Sequence, residues 1–224
     1  MLGTLVGRDV SLGPLKRVVA DKTEGNPLFM EEIVLSLFED GTLAHNGEVK
    51  LAKPLASLRI PPTEQGILAS RIDRLPADEK DLLRMVAVIG TEFNPCVARA
   101  LSGKSDDELN PMLNDLQLAE FIYEQPAAGD IEYTFKHALT HEVAYNSWLI
   151  ERRKLLHERT AQTIEALYCD RLEDHATELA HHFGCSGNVP KAVGYLSRSG
   201  HKAAERSGRC PAVLLLYLLP PFSV

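Results

Sequence analysis

The 224 residues carry 24 Lys plus Arg against 31 Asp plus Glu, a formal net charge of −7, so the overall field repels nucleic acid and anionic membrane unless a local basic patch overcomes it. Four cysteines, Cys96, Cys169, Cys185 and Cys210, lie far apart with no C-x-x-C pair and follow no basic-then-apolar leader, which predicts reduced thiols in a cytoplasmic protein. The near-continuous apolar run over 212–224 is too short to cross a bilayer and is interrupted by Pro220 and Pro221, so no transmembrane segment is expected.

In chain order, Asn26 and Pro27 fit the cap and first turn of a helix carrying Leu28, Phe29, Ile33, Val34, Leu37 and Phe38 and ending near Gly41. Residues 45–60 mix Gly47, Pro54 and scattered apolar side chains, and Pro61-Pro62 imposes an extended approach to the next element. A boundary is therefore placed after residue 60. Thr63 begins a helix through Ile67, Leu68 and Ile72, which Pro76 stops before another starts. That next segment, up to Gly90, is apolar on more than one face, as a central helix would be. Helices are expected over 95–101 and 106–118, the latter with Leu109, Met112, Leu113 and Leu116 in step and Pro111 early in it.

Phe121-Ile122-Tyr123 and the run Ile131 to Phe135 are β-prone and separated by Pro126, Gly129 and Asp130, which reads as a hairpin. Three helices followed by that hairpin predict a winged-helix-like domain over 61–135. From Lys136 the period is helical again, giving a helical linker domain over 136–187. Segments over 171–183 and 189–207, divided by Gly184, Gly187 and Pro190, have the spacing of antiparallel helix pairs, and 188–209 reads as the start of a tetratricopeptide-like repeat. Residues 210–224 are uncharged and leucine-rich, either a buried plug or an artefactual end. The expected fold class is thus mainly α: a winged-helix-like domain with a small hairpin, then antiparallel helices leading into a repeat array.

Catalytic motifs are missing. The chain has no G-x-x-x-x-G-K-[ST] loop to hold phosphates and no strand-to-helix setting for a nucleophilic serine, so no catalytic residue is assigned. The candidate recognition helix over 104–120 holds one lysine against Asp106, Asp107, Glu108, Asp115 and Glu120, and DNA binding is not expected. His137 and His141 stand four apart, but Tyr145 breaks H-E-x-x-H. His175, His181 and His182 lie near Cys185 in sequence, yet adjacent histidines diverge around a helix, so no metal site is expected. Arg152, Arg153 and Lys154 share their segment with Glu151, Glu158 and Glu165. That composition suits a solvated face or, with Lys136 and His137, an interdomain surface.

The stretches Glu24-Gly25-Asn26-Pro27-Leu28-Phe29-Met30-Glu31-Glu32, Ala69-Ser70-Arg71-Ile72-Asp73-Arg74-Leu75-Pro76, Tyr133-Thr134-Phe135-Lys136-His137-Ala138-Leu139 and Leu179-Ala180-His181-His182 follow one another in this order. Together they resemble the region after the nucleotide core of bacterial STAND-type (AAA-like) signal-transduction ATPases, in the group that carries an adenylate/guanylate cyclase domain before the ATPase and tetratricopeptide-like repeats after it. The resemblance implies that residues 1–60 are the C-terminal remnant of the ATPase helical region. It also implies that Gly25, Asn26 and Pro27 lie near the adenine in the intact parent, with Pro27 touching the base and Gly25 permitting close backbone approach.

The family's phosphate loop, magnesium-binding strand and cyclase aspartates match nothing here. The expectation is a non-catalytic fragment coupling domains in a signalling protein, with no cofactor of its own and ATP and magnesium in the parent. Its implied partners are the upstream ATPase core, a nucleotide cyclase domain and a protein held by the repeats. The alternative is a helical protein-interaction scaffold that never used nucleotide.

Overall fold

A computed structural model describes residues 2–7, 9–45, 49–54, 60–126 and 131–207; the expected apolar tail, 210–224, and the last residues of the expected repeat, 208–209, lie outside them. The chain divides into two compact units, Met1–Pro76 and Ala77–Val224. Among the described residues the fold is mainly α with two small antiparallel sheets.

In the first unit, α1 (Leu2–Leu5) and a short 3-10 turn (Val10–Leu12) lead into α2 (Gly13–Thr23), with Pro14 in its first turn. Glu24 at φ 48° and Gly25 at φ 85° are both left-handed and redirect the chain, a conformation that glycine adopts at little cost. Asn26 then caps α3 (Pro27–Glu39), its Oδ1 accepting the Phe29 N–H at 3.3 Å, while Pro27 stands where a helix needs no N–H. Buried Phe29, Ile33, Val34 and Leu37 recur three or four apart and form the stripe on which Leu15, Val19, Leu43 and Ile67 pack.

A strand pair, β1 (Leu43–His45) and β2 (Val49–Leu51), sets Leu43 opposite Leu51 where the sequence signalled only an irregular segment. Thr63 starts α4 (Glu64–Arg74) by accepting the Gly66 N–H at 3.1 Å on its hydroxyl. The helix ends at Leu75, extended at ψ 147° ahead of Pro76, as the ring of a following proline requires. Arg71 fastens α4 to α3. It is 2 % exposed, pairs with the fully buried Glu32, and donates through Nε to Glu39 at 2.7 Å. Arg74 adds a bond from Nη1 to the Ser36 hydroxyl at 2.9 Å.

The second unit is built on α5 (Ala77–Ile89), whose Leu82, Leu83, Val86, Ala87 and Val88 are all buried. After it come β3 (Glu92–Phe93), α6 (Pro95–Ser102), α7 (Asp106–Leu118), β4 (Ile122–Pro126), β5 (Ile131–Phe135), α8 (Ala138–Asn146), α9 (Ile150–Leu167), α10 (Ala176–Ser186) and α11 (Val189–Ser207). Helices α6, α7, α8 and α9 all pack on α5, so its many-sided apolar pattern follows from its central place. Each fully buried leucine there contributes ~1.5–3 kcal/mol of transfer free energy.

Asn94 starts α6 by accepting the Cys96 N–H at 2.8 Å. Glu108 reaches back to the Ser105 N–H at 2.9 Å at the start of α7, and Pro111 is accommodated inside that helix. The hairpin β4–β5 pairs Ile122 with Phe135 and Glu124 with Tyr133. The two-residue β3 adds to the free side of β5 through Phe93 opposite Tyr133, giving the order β3-β5-β4. The helix expected over 171–183 begins later, at Ala176, because a 3-10 turn (Cys169–Arg171) comes first and His175 stacks on Tyr168 at 4.0 Å. Pro190 does not divide helices but lies in the first turn of α11, where it is tolerated. Among the described residues, no helix is long and apolar enough to cross a membrane.

Candidate functional site

Among the described residues, two places gather chemistry, one in each unit. In the first, the turn Lys22 to Pro27 and the approach to α4, Pro62 to Gln65, line an open cleft of about 810 Å³. The three residues singled out from the sequence sit on its wall. Asn26 uses both ends of its amide: the oxygen caps α3, and Nδ2 donates to the Glu64 carboxylate. Gly25 is held at φ 85° with no atom within 4 Å of the position a Cβ would occupy, so backbone conformation, not crowding, selects glycine there. Among the described residues, the cleft wall carries one cation, Lys22, and two carboxylates, Glu24 and Glu64. Triphosphate binding by a protein generally needs a lysine, a magnesium-bound hydroxyl and several aimed N–H groups.

Of the expected interdomain residues, Lys136 pairs with Glu120, and its backbone N–H closes on the Phe121 carbonyl at 2.9 Å. His137 precedes α8, its carbonyl accepting the Thr140 N–H at 3.0 Å, and its buried Nε2 has no hydrogen-bond partner among the described residues. Arg152 lies over the Trp148 ring at 5.7 Å. Arg153 lies over Tyr145 at 4.7 Å and donates to Asn146 Oδ1 at 2.8 Å. The lysine and histidine thus fix the hairpin exit, and the arginines cover the α8–α9 corner.

The second place is a chain of imidazoles that sequence reasoning assembled only in part. His141 Nε2 donates to the Ala87 carbonyl at 2.8 Å, and His182 donates to the Ile89 carbonyl. Both acceptors belong to the last turn of α5, where helix carbonyls lose their intrahelical partners. The two histidines therefore finish α5 from α8 and α10. His182 Nδ1 also meets His157 Nδ1 at 2.8 Å, and His157 Nε2 meets the Tyr145 hydroxyl at 3.0 Å.

One assignment of protons satisfies this network. A neutral His182 that donates to Ile89 accepts at Nδ1, so His157 donates from Nδ1 and keeps the lone pair on Nε2, where the tyrosine hydroxyl donates to it. Burial lowers His157 to about 4, with His181 and Arg153 acting in the same direction. Burial likewise lowers His182 to about 3, with His157 and His181 acting in the same direction and the Ile89 carbonyl against it. Both rings are neutral at pH 7.

On the outer side of the same cluster, His181 and Cys185 stand one turn apart on α10, with Nε2 and Sγ 3.7 Å from each other. Burial raises the Cys185 thiol, and Arg153 pulls it back down. Ligand atoms of His157, His181 and Cys185 all lie within 4.8 Å of one another. His181 and His182 do diverge around α10, as the sequence predicts, but His157 reaches both, with ring centroids 5.8 and 5.1 Å away. Its part was missed because a polar residue on α9, 24 positions upstream of His181, carries no local signal of that proximity.

The sequence matches no protein-family model, and no curated protein is significantly similar to it. The functional reading therefore rests on geometry and residue chemistry.

Proposed function

We propose that this chain is a helical protein-interaction scaffold that does no nucleotide chemistry of its own. The carrying observation is the corner between α8 and α9. Leu149 is 81 % exposed and Ile150 62 %, beside the Arg152 and Arg153 side chains that cover neighbouring aromatic rings. Large apolar side chains flanked by arginine are the composition of a protein contact.

Two features of the architecture support finer parts of the reading. The order α5-β3-α6-α7-β4-β5 with sheet order β3-β5-β4 supports a winged-helix-like arrangement, with an acidic α7 suited to packing against protein. The succession α9, α10 and α11, each packed on the next, supports a repeat-like array.

A second reading, favoured by the cleft beside Gly25, Asn26 and Pro27, makes the scaffold the coupling part of a STAND-type ATPase linked to a nucleotide cyclase. ATP and magnesium would then be held by the parent's core, with Pro27 against the base. Calorimetric titration of the chain with ATP and magnesium, together with a phosphate-release assay, tests the leading reading. It predicts no saturable heat and no turnover; tight binding with hydrolysis contradicts it. Binding that appears only after fusion to the upstream core and weakens with Pro27→Ala selects the second reading.

A further inference from the structure

We propose that His157, His181 and Cys185 bind one zinc-class divalent cation between α9 and α10, with solvent completing the fourth coordination position. The donor set, two imidazoles and a thiol, is the borderline-soft chemistry that such cations select over oxygen-rich sites. His181 and Cys185 are placed by the helix itself, four residues apart on one face of α10. Their donor atoms are 3.7 Å apart, close to the roughly 3.3–3.6 Å between donors of a tetrahedral zinc with bonds near 2.0–2.3 Å.

His157 completes the triangle from α9. Its donor atom lies within 4.8 Å of the other two, so closure needs a movement of about 1 Å to reach metal-bond geometry.

The network around His157 already resembles that of a ligand. Metal-bound imidazoles characteristically donate their other ring N–H to a fixed acceptor, which sets the tautomer and aims the lone pair. Here His157 Nδ1 donates to His182 at 2.8 Å, and His182 is anchored in turn on the Ile89 carbonyl. The lone pair on Nε2 is held by a single hydroxyl donor, Tyr145, at 3.0 Å. A cation takes that lone pair and releases the hydroxyl. As the sulfur–metal bond forms, Cys185 loses its S–H proton to solvent, so one proton leaves for each cation bound. Arg153, which faces both His157 and Cys185, favours the thiolate but repels the cation, and the site is correspondingly weaker than a four-ligand structural zinc.

Cobalt(II) is the probe, titrated without oxygen into the untagged full chain carrying Cys96→Ser, Cys169→Ser and Cys210→Ser, so that Cys185 is the remaining thiol. The expected result is saturation at one ion per chain, with a thiolate-to-cobalt charge-transfer band and the intense visible bands of four-coordination, all abolished by zinc. Cys185→Ser removes the charge-transfer band, and His181→Ala weakens binding by about ten-fold or more. These two positions are chosen because His181 is exposed and Cys185 half-buried, whereas the buried His157 also serves the core. A titration without the charge-transfer band, a band that survives Cys185→Ser, or an affinity unchanged by His181→Ala overturns the proposal.

Discussion

Replacing Arg71 with methionine removes the cation that holds two carboxylates of α3. Glu32, 1 % exposed, loses its buried partner, while Glu39, with 31 % of its side chain exposed, can turn to water. Breaking a buried ion pair by deleting one member costs about 3–5 kcal/mol, because the remaining charge is left without solvent or counter-ion. Most of that cost belongs to Glu32. Glu32→Gln leaves Arg71 bonded to Glu39 at 2.7 Å and is expected to cost roughly 1–3 kcal/mol, the range for one under-satisfied buried group. The double variant Arg71→Met with Glu32→Leu removes both charges and is expected to recover most of the loss, since apolar replacement of a whole buried pair is often neutral. Urea unfolding followed by circular dichroism, with amide exchange read on α3 and α4, measures all three. A single variant Arg71→Met within 1 kcal/mol of the parent, or a double variant as weak as that single one, refutes the reasoning.

Further outcomes follow from other contacts. Tyr195 is raised to about 12 by burial and by its bond to Glu165 at 2.6 Å, so its contribution to stability is complete below pH 10 and lost as pH rises through about 12. Phenolate absorbance should show a tyrosine transition near pH 12, and Glu165→Gln should bring it back toward the ordinary range; a parent chain without that late transition contradicts the contact. Gly25→Ala meets no atom but must hold φ 85°, a cost of about 1–2 kcal/mol, and Gly25→Asn should cost less. Equal melting temperatures for parent, alanine and asparagine variants would remove backbone strain as the reason for glycine. Leu83→Ala, at a fully buried position of α5, should lose about 2–5 kcal/mol, and a loss below 1 kcal/mol would mean that α5 is not the centre of its unit.

The parts of the fold that were legible in sequence are those with local causes. Asn26 and Pro27 start α3, and α7 spans Asp106–Leu118, because capping side chains and three-to-four spacing act within a turn or two of the residues that carry them. Strands β1 and β2 have only three residues each, and β3 only two. Such lengths offer no alternation to detect, and β3 exists because β5 has a free side to pair with. The late start of α10 depends on the stack of Tyr168 and His175, which no propensity reports.

The candidate sites divide in the same way. Asn26 and Pro27 were legible as the start of a helix. The imidazole chain was not, since His141, His157 and His182 sit on three different helices and find their partners in the carbonyls at the end of α5 and in each other. A histidine on a helix looks polar and exposed until packing supplies an acceptor. His157 and His182 are instead 2 % and 1 % exposed.

Amide hydrogen exchange on the whole chain, with and without saturating ATP and magnesium, tests the claim of a scaffold free of nucleotide chemistry most directly. The account predicts unchanged exchange from Thr23 to Phe29 and at the start of α4, with no phosphate released. Strong protection of that turn, accompanied by turnover of the nucleotide, contradicts it.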